Sequence, residues 1–311
     1  MNSSATLPHP TFARSREQKF GDRLMWATTA LATLLVLFVL LIIVADVAIH
    51  GSTKLTIGFL TERPSQGMTA GGIFPALIGT VSLVILMTVA VVPVGVATAL
   101  YLHEYAPPRH FTTRTIRIAI NNLAGVPSIV FGLFGLGFFI QFVGTGIDKV
   151  LYDGEKVYGQ PALVWAALTM AVLTLPVVIV ATEEALRSIP RELREGSLAL
   201  GATKFQTVLL VVLPQAMPGV LTGTILAVGR GAGEVAPILF TGVAYFLPRL
   251  PDELSDQFMH LGYHVYVLST QSPDVDKTKP ILYATVAVLL LLTFTLNIAA
   301  ILVRSRMRRK L

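Results

Sequence analysis

The sequence contains no cysteine and few charged residues. Only 14% of its 311 residues are charged and 53% are hydrophobic, whereas soluble domains carry about 25% charged residues. The lack of cysteine excludes a disulfide framework and a thiolate metal site. A chain with so few charges cannot cover a water-soluble surface, and its apolar residues come in long unbroken runs. The composition therefore indicates an integral membrane protein.

Several enzyme motifs are also missing. The phosphate-binding pattern G-x-x-x-x-G-K-[ST] does not occur, because the nearest string, GATK at 201–204, lacks its spacing. H-E-x-x-H is absent, and the histidines from His50 onward fall at the ends of apolar runs or between them. An intramembrane enzyme is therefore disfavoured. No cofactor or metal is expected in this chain, and ATP with Mg²⁺ would bind to a partner subunit.

The apolar runs predict membrane-spanning helices. About 20 apolar residues cross the hydrocarbon core of a bilayer as a helix. This criterion selects six segments, namely 24–49, 75–101, 116–143, 161–182, 208–240 and 281–303. The first is too long for the apolar part of a signal peptide and lacks a cleavage site, so it is expected to remain as an anchor helix. The fifth is long enough to contain a bend or a re-entrant piece.

The distribution of lysine and arginine predicts the orientation. Sixteen of the 24 basic residues fall on the side that carries the N-terminus, seven fall on the other side, and Arg230 lies within a predicted span. Because basic residues accumulate on the cytoplasmic side, both termini are expected in the cytoplasm. The net charge of +6 is accounted for by this bias, so no nucleic-acid partner is expected.

The segments between the spans complete the predicted organisation. A polar tail occupies 1–23, the anchor helix 24–49, the main membrane domain 70–303 and a basic tail 304–311. External loops are expected at 51–72 and 245–280. The charged segment 183–207 has Leu193, Ser197, Leu200 and Lys204 near helical spacing, which favours short helices at the cytoplasmic surface. A solvated positive loop is the alternative.

The sequence REGSLALGATKFQTVLLVVLP at 194–214 resembles the EAA loop of ABC importer permeases. It has an acid, small residues, a glycine and then a hydrophobic stretch that ends in Leu-Pro. The family has Ala-Ala after the acid, where this chain has Gly196 and Ser197. The resemblance implies that this loop is the coupling helix that docks into a cleft on a cytoplasmic ATPase. The residues expected to couple are Glu195, Ser197, Ala199, Gly201 and Lys204.

Longer stretches resemble one family within this class. INNLAGVPSIVFGLFGL (120–136), PVGVATALYLHEYA (93–106), TEEALRSIPRELREGSLALGATK (182–204) and GRGAGEVAPILFTG (229–242) are similar to phosphate-specific ABC importer permeases. They match the PstA-type subunit better than its PstC-type partner. The resemblance covers roughly 70–303 and implies the six-helix fold of type I ABC importer permeases, in the bacterial inner membrane.

Arg230 is the only basic residue placed deep in a predicted span. Ionisable groups inside a membrane usually mark substrate pathways. The planar fork of an arginine suits an oxyanion such as phosphate, and the family resemblance also places this arginine on the translocation path. The alternative is an intrahelical pair with Glu234 that only neutralises charge. Both can hold, with Glu234 shielding Arg230 so that the anion is released.

Small residues surround this pair and are expected to pack helices closely. Gly219 with Gly223 and Gly229 with Gly233 have the G-x-x-x-G spacing that brings membrane helices together. Pro237 removes a backbone donor and is expected to bend the helix.

The resemblance implies a transmembrane subunit of an ATP-driven phosphate importer, which works by alternating access and is not itself an enzyme. The expected partners are a PstC-type permease, two copies of a cytoplasmic ATPase, a periplasmic or lipid-anchored phosphate-binding protein, phosphate and membrane lipid. A permease for another oxyanion or small solute is the alternative within this class. A stand-alone channel or receptor would leave the coupling loop unexplained.

Overall fold

A computed structural model describes residues 16–272 and 274–308. The described chain is mostly helical, and six of its helices are long and apolar enough to cross a membrane. Helix α1 up to Ile49 forms one compact unit, and His50–Leu311 forms the other. Most of the predicted tail at 1–23 and the end of the basic tail, 309–311, lie outside the described residues.

The elements follow one another with short connections. The six spanning helices are α1 (Arg16–Gly51), α3 (Phe74–Tyr105), α5 (Ser128–Leu151), α6 (Leu163–Arg187), α8 (Lys204–Gly231) and α10 (Val275–Arg308). The shorter helices are α2 (Ile57–Thr61), α4 (Phe111–Leu123), α7 (Arg191–Ala199) and α9 (Leu261–Thr270). Strands β1 (Pro64–Ser65) and β2 (Ala70–Gly71) pair antiparallel between α2 and α3. The prediction of six spans in an all-α fold is confirmed.

The third span begins later than predicted. Residues 116–123 were expected inside the span, but they belong to α4, a separate helix that carries Arg114 and Arg117. The chain then breaks, and α5 starts directly after Pro127. A proline disfavours the helical conformation of the residue before it, so the break falls where the sequence places that proline.

The fifth span ends earlier than predicted. Helix α8 stops at Gly231 instead of continuing to residue 240, and turns with a short 3₁₀ helix, Ile238–Phe240, follow. Within the predicted external loop at 245–280, the structure has α9 and the first residues of α10. In both regions, the run of apolar or polar residues predicted one long segment, whereas the structure contains short helices and turns.

The core is built around α6, which packs between α3 and α8. Its buried residues meet those of α3 in one apolar cluster, which includes Ala166, Met170, Leu173 and Val178 of α6 with Leu83, Met87 and Val91 of α3. A second cluster joins the first turns of α3 and α10 to α9. Buried Thr80 of α3 strengthens that end, because its Oγ1 accepts a hydrogen bond of 2.9 Å from the backbone N–H of Leu261.

Glycines bring α8 close to α6. A Cβ at Gly223 would lie 2.6 Å from the Cβ of Ala181, and a Cβ at Gly219 would overlap that of Ala185. Without a large interface side chain the two backbones approach closely, which is how membrane helices gain packing energy. The structure thus places Gly219 and Gly223 at the α6–α8 contact.

Replacing Gly223 by valine should destabilise this contact. Overpacking a tight interface costs about 1–3 kcal/mol, so the midpoint of thermal unfolding in detergent should fall and less assembled complex should be recovered. The matched control is Gly137→Val, because a Cβ at Gly137 meets nothing within 4 Å. Equal thermal midpoints for the two variants would contradict the packing role of Gly223.

Candidate functional site: an arginine at a helix end inside the membrane

Arg230 lies in the last turn of α8, one residue before the helix ends. A Cβ on the next residue, Gly231, would lie 2.6 Å from the sulfur of Met87, and Met87 is near the middle of α3. Arg230 therefore lies near the middle of the spanning layer although it belongs to a helix end. A cation there interacts favourably with the negative end of the helix dipole.

The chain that follows α8 is irregular but packed. Ala232 and Ile238 are buried, and a Cβ at Gly132 of α5 would lie 2.9 Å from the carbonyl oxygen of Pro237. The hydroxyl of Thr241 donates to that same oxygen at 3.0 Å. Non-helical backbone is tolerated at membrane depth only where protein covers it or water lines it. Interrupted helices of this kind surround the binding sites of many transporters.

The charged pair therefore differs from the helical pair that the sequence suggested. Glu234 lies in the turn beyond the helix, and Arg230 Nε donates to Glu234 Oε1 at 3.3 Å. The side chains are 42% and 23% exposed, respectively. No other acceptor for the Arg230 guanidinium is present among the described residues, so four of its five N–H groups have no acceptor within that part of the chain.

The flanking small residues have separate positions. Gly229 faces α10, where a Cβ would lie 3.0 Å from Asn297 Oδ1. Gly233 lies in the turn after α8, where a Cβ would make only an ordinary contact of 4.0 Å with the carbonyl oxygen of Arg230, and Pro237 is beyond the helix instead of bending it. Helix packing by Gly229 thus occurs within this chain, whereas Gly233 and Pro237 shape the turn.

Sequence reasoning missed Asn297. Its Oδ1 is buried and has no hydrogen-bond partner among the described residues, and it lies beside Gly229, next to Arg230. The available signal was a single amide within the apolar run LLLLTFTLNIAAIL.

Other basic groups are less suited to an anion. Three arginines near the ends of spans donate to protein acceptors: Arg117 to Glu183 at 2.8 Å, Arg194 to Glu104 at 2.9 Å and Arg304 to Thr222 at 2.9 Å. At the start of α9, burial lowers the pKa of His260 to about 3 and that of His264 to about 4. Both histidines are therefore neutral near pH 7, so neither offers a positive charge to an anion.

The second site is the segment between α6 and α8, where the sequence predicted coupling to an ATPase. Helix α7 forms there, in agreement with the predicted short helices, and it ends in a left-handed glycine, Gly201, with φ of 88°. The N–H of Gly201 donates to Leu198 O at 3.0 Å, and that of Ala202 donates to Ser197 O at 3.2 Å. These two bonds form a Schellman motif, whose left-handed position favours glycine.

The remaining predicted coupling residues lie on or next to α7. Glu195 and Ala199 are exposed. The hydroxyl of Ser197 is 2.9 Å from that of Thr207, which ties α7 to the first turn of α8. The Lys204 ammonium is 4.9 Å from the centre of the Tyr105 ring, a distance typical of a cation–π contact.

Sequence reasoning also missed an apolar surface here. Leu200 is 92% exposed and Phe205 is 65% exposed, on either side of Gly201, and Leu198 is 48% exposed. Exposed apolar groups rimmed by charges mark protein interaction surfaces. The signal was present in the sequence, because these residues stand out in an otherwise polar segment.

Taken together, six spanning helices, a helix that ends at mid-depth beside a half-exposed arginine, and a protruding helix between two spans define a membrane transport component. A family model described as the binding-protein-dependent transport system inner membrane component matches residues 91–309. The chain belongs to this family. It is a permease subunit of an ABC importer and a multi-pass protein of the bacterial inner membrane.

Curated relatives agree with this assignment. The chain is 31% identical over 297 residues to the probable ABC transporter permease protein YqgI of Bacillus subtilis, which covers 91% of this chain and 95% of that protein. It is 35% identical over 235 residues to the phosphate transport system permease protein PstA 1 of Mycobacterium tuberculosis, covering 76% and 71%, respectively. The resemblance to PstA-type permeases is confirmed.

Solved structures support the fold. A bacterial ABC transporter involved in the import of the acidic polysaccharide alginate aligns with a TM-score of 0.62 at 14% identity, over 94% of this chain and 99% of that chain. The MetNI methionine ABC transporter in an inward-facing conformation aligns with a TM-score of 0.53 at 19% identity, over 78% and 99%. The type I ABC importer permease fold that the sequence predicted is confirmed.

Substitutions at Gly201 should show whether binding of the ATPase depends on the left-handed backbone at this position or on the size of its side chain. A Cβ at this position meets nothing within 4 Å in the described chain, so a substitution acts on the chain itself through the left-handed backbone, which costs other residues roughly 1–2 kcal/mol and asparagine less. We expect co-purification of the ATPase to decrease from glycine to asparagine to valine. The measurement is the amount of ATPase recovered with the tagged permease. An equal loss in Gly201→Asn and Gly201→Val would contradict this reading.

Proposed function

We propose that this chain is the transmembrane subunit of an ATP-driven importer of inorganic phosphate and forms half of the translocation path. The similarity to proteins named phosphate transport system permeases, at 31–37% identity, supports this proposal. The half-exposed Arg230 near the middle of the membrane carries it, because it gives the path a group that binds an oxyanion. A permease for another oxyanion or small solute is the alternative.

Arg230 and Glu234 would act together on the anion. Phosphate has a charge of about −1 to −2 near neutral pH, and the free N–H groups of Arg230 can bind it with charge-assisted, bidentate hydrogen bonds. A path needs binding that is weak enough for release. Glu234 competes for the same guanidinium through a single bond of 3.3 Å, so it would partly neutralise Arg230 when no anion is present and favour release of a bound one.

The partners would complete the path and drive it. We propose a similar permease of the PstC type beside this chain, two copies of a cytoplasmic ATPase and an external phosphate-binding protein. ATP binding would close the ATPase pair and move α7, after which the permease pair would open outward to receive phosphate. The exposed Leu200 and Phe205 beside Gly201 give α7 an apolar surface that suits a cleft on the ATPase.

Substrate class is tested by uptake into vesicles that contain the whole complex. Radiolabelled phosphate should enter in an ATP-dependent manner, and excess unlabelled sulfate or molybdate should compete weakly. The control is the same complex without the ATPase subunit, which should not import. Uptake of another solute with no uptake of phosphate would rule out the phosphate proposal in favour of the alternative.

The role of the charged pair is tested by Arg230→Gln and Glu234→Gln. A hydrogen bond to a charged group contributes about 1.5–3 kcal/mol, so Arg230→Gln should lower uptake at limiting phosphate roughly tenfold to hundredfold. Glu234→Gln should tighten phosphate binding and slow release. Both variants should insert and assemble normally.

The matched control for this pair is Arg249→Gln, which removes an arginine that lies 3.8 Å from Asp256 in the external segment. It should import at the wild-type rate. Normal uptake by Arg230→Gln would show instead that the arginine serves only to neutralise charge.

A further inference from the structure

We propose that Arg194 is a positioning residue that fastens the coupling helix α7 to α3 through Glu104, so that movement of α7 reaches the site around Arg230. This inference rests on the proposed coupling of α7 to an ATPase but not on the identity of the transported solute. Arg194 lies in the middle of α7, and Glu104 lies in the last turn of α3, which is a π-helical turn from Tyr101 to Tyr105.

The ion pair is short and largely shielded from water. Arg194 Nε and Nη2 donate to the same oxygen, Glu104 Oε1, at 3.1 and 2.9 Å. The side chains are only 17% and 10% exposed, and His103 Nδ1 is 3.0 Å from that oxygen as well. Exposed ion pairs contribute little because water and salt screen them. A shielded pair holds its geometry, and removal of one partner leaves the other charge uncompensated.

Arg194 also holds the end of α6 and the residues that link α6 to α7. Its Nη1 donates to the carbonyl oxygen of Ile189 at 2.9 Å and to that of Pro190 at 3.5 Å, and its Nη2 donates to that of Leu186 at 2.9 Å. Carbonyls at the end of a helix lack partners within the helix. All five N–H groups of this guanidinium therefore have an acceptor, and one side chain joins α3, α6 and α7.

The other charges of α7 do not make such connections. Arg191, Glu192 and Glu195 are exposed, and none has an ion-pair partner in the described part of the chain. The start of α8 also contacts the last turn of α3, because the ammonium group of Lys204 lies over the ring of Tyr105, next to Glu104. The last turn of α3 is thus held both by α7 and by the start of α8.

Helix α3 leads from this junction to the candidate site. It continues from Glu104 to Met87, a length of about 25 Å at the helical rise of 1.5 Å per residue, and the sulfur of Met87 faces Gly231 beside Arg230. Packed rigid helices are elements through which two distant sites are coupled. A displacement of α7 that pulls on Glu104 would therefore move the wall against which the end of α8 packs.

The test uses the absence of cysteine from this chain. Gly233→Cys introduces one thiol near Arg230, at an exposed position in the turn after α8. In the complete complex, ATP should change the rate at which a water-soluble thiol reagent modifies Cys at position 233, measured by mass spectrometry of that peptide. In this background, Arg194→Gln and Glu104→Gln should each reduce the ATP-dependent change about tenfold, a loss of about 1.4 kcal/mol of coupling.

A double-mutant cycle distinguishes positioning from a general loss of stability. If Glu104 acts through Arg194, the double variant should be no worse than the worse single variant, whereas independent effects would add. ATP hydrolysis and recovery of the ATPase with the permease should stay at the wild-type level. The matched control Arg191→Gln, an arginine in the same helix, should retain the full ATP-dependent change.

Two results would overturn the inference: additive effects of the two substitutions, or a full ATP response in both single variants. If Arg194→Gln fails to assemble, Glu104→Gln decides alone, because it is nearly isosteric and leaves the bonds from Arg194 to the α6 carbonyls in place. The readout does not depend on the solute. A complex that imports no phosphate but loses its ATP response on Glu104→Gln would therefore contradict the phosphate proposal and support this inference.

Discussion

The structure depends on how the chain satisfies its backbone where α8 ends inside the membrane. A helix that stops at mid-depth leaves carbonyl groups without partners in a layer that has no water to bind them. In the turn after Gly231, the N–H groups of Ala232 and Gly233 donate to the carbonyl oxygens of Val228 and Arg230 at 3.0 and 3.2 Å, and Ala232 and Ile238 are buried. Because the turn is packed, the last side chains of α8 are held at a fixed depth, and Arg230 is one of them.

This arrangement explains which residues must be small. The backbone of the turn approaches α5 at Gly132, and α8 approaches α6 at Gly219 and Gly223. Large side chains at these positions would separate the helices and expose the backbone of the turn. The glycines therefore act on the site indirectly, by allowing the contacts that cover an interrupted helix, while the charged groups at its end stay accessible.

Much of this could be predicted from the sequence, for physical reasons. Long apolar runs are a local property, so all six spans were found, and the Arg230–Glu234 pair was evident because charges are rare in such runs. The ends of spans were less predictable. The break before α5 follows from Pro127, whereas the end of α8 at Gly231 depends on contacts with α5 and α6 that no local pattern reports. The pair Glu104–Arg194 joins residues 90 positions apart, so only the fold could place them together.

Arg194 and Arg230 differ in how completely their N–H groups are paired. Arg194 uses all five of its N–H groups on protein acceptors and is largely shielded. Arg230 has a single contact of 3.3 Å and is 42% exposed. An arginine that only neutralised charge for insertion would gain most from complete pairing, because unpaired charge is costly inside a membrane. Arg194 at the coupling helix is fully paired in this way, whereas Arg230 at mid-depth has N–H groups without an acceptor among the described residues. The role proposed above, in which Arg230 exchanges Glu234 for an anion, would account for this difference.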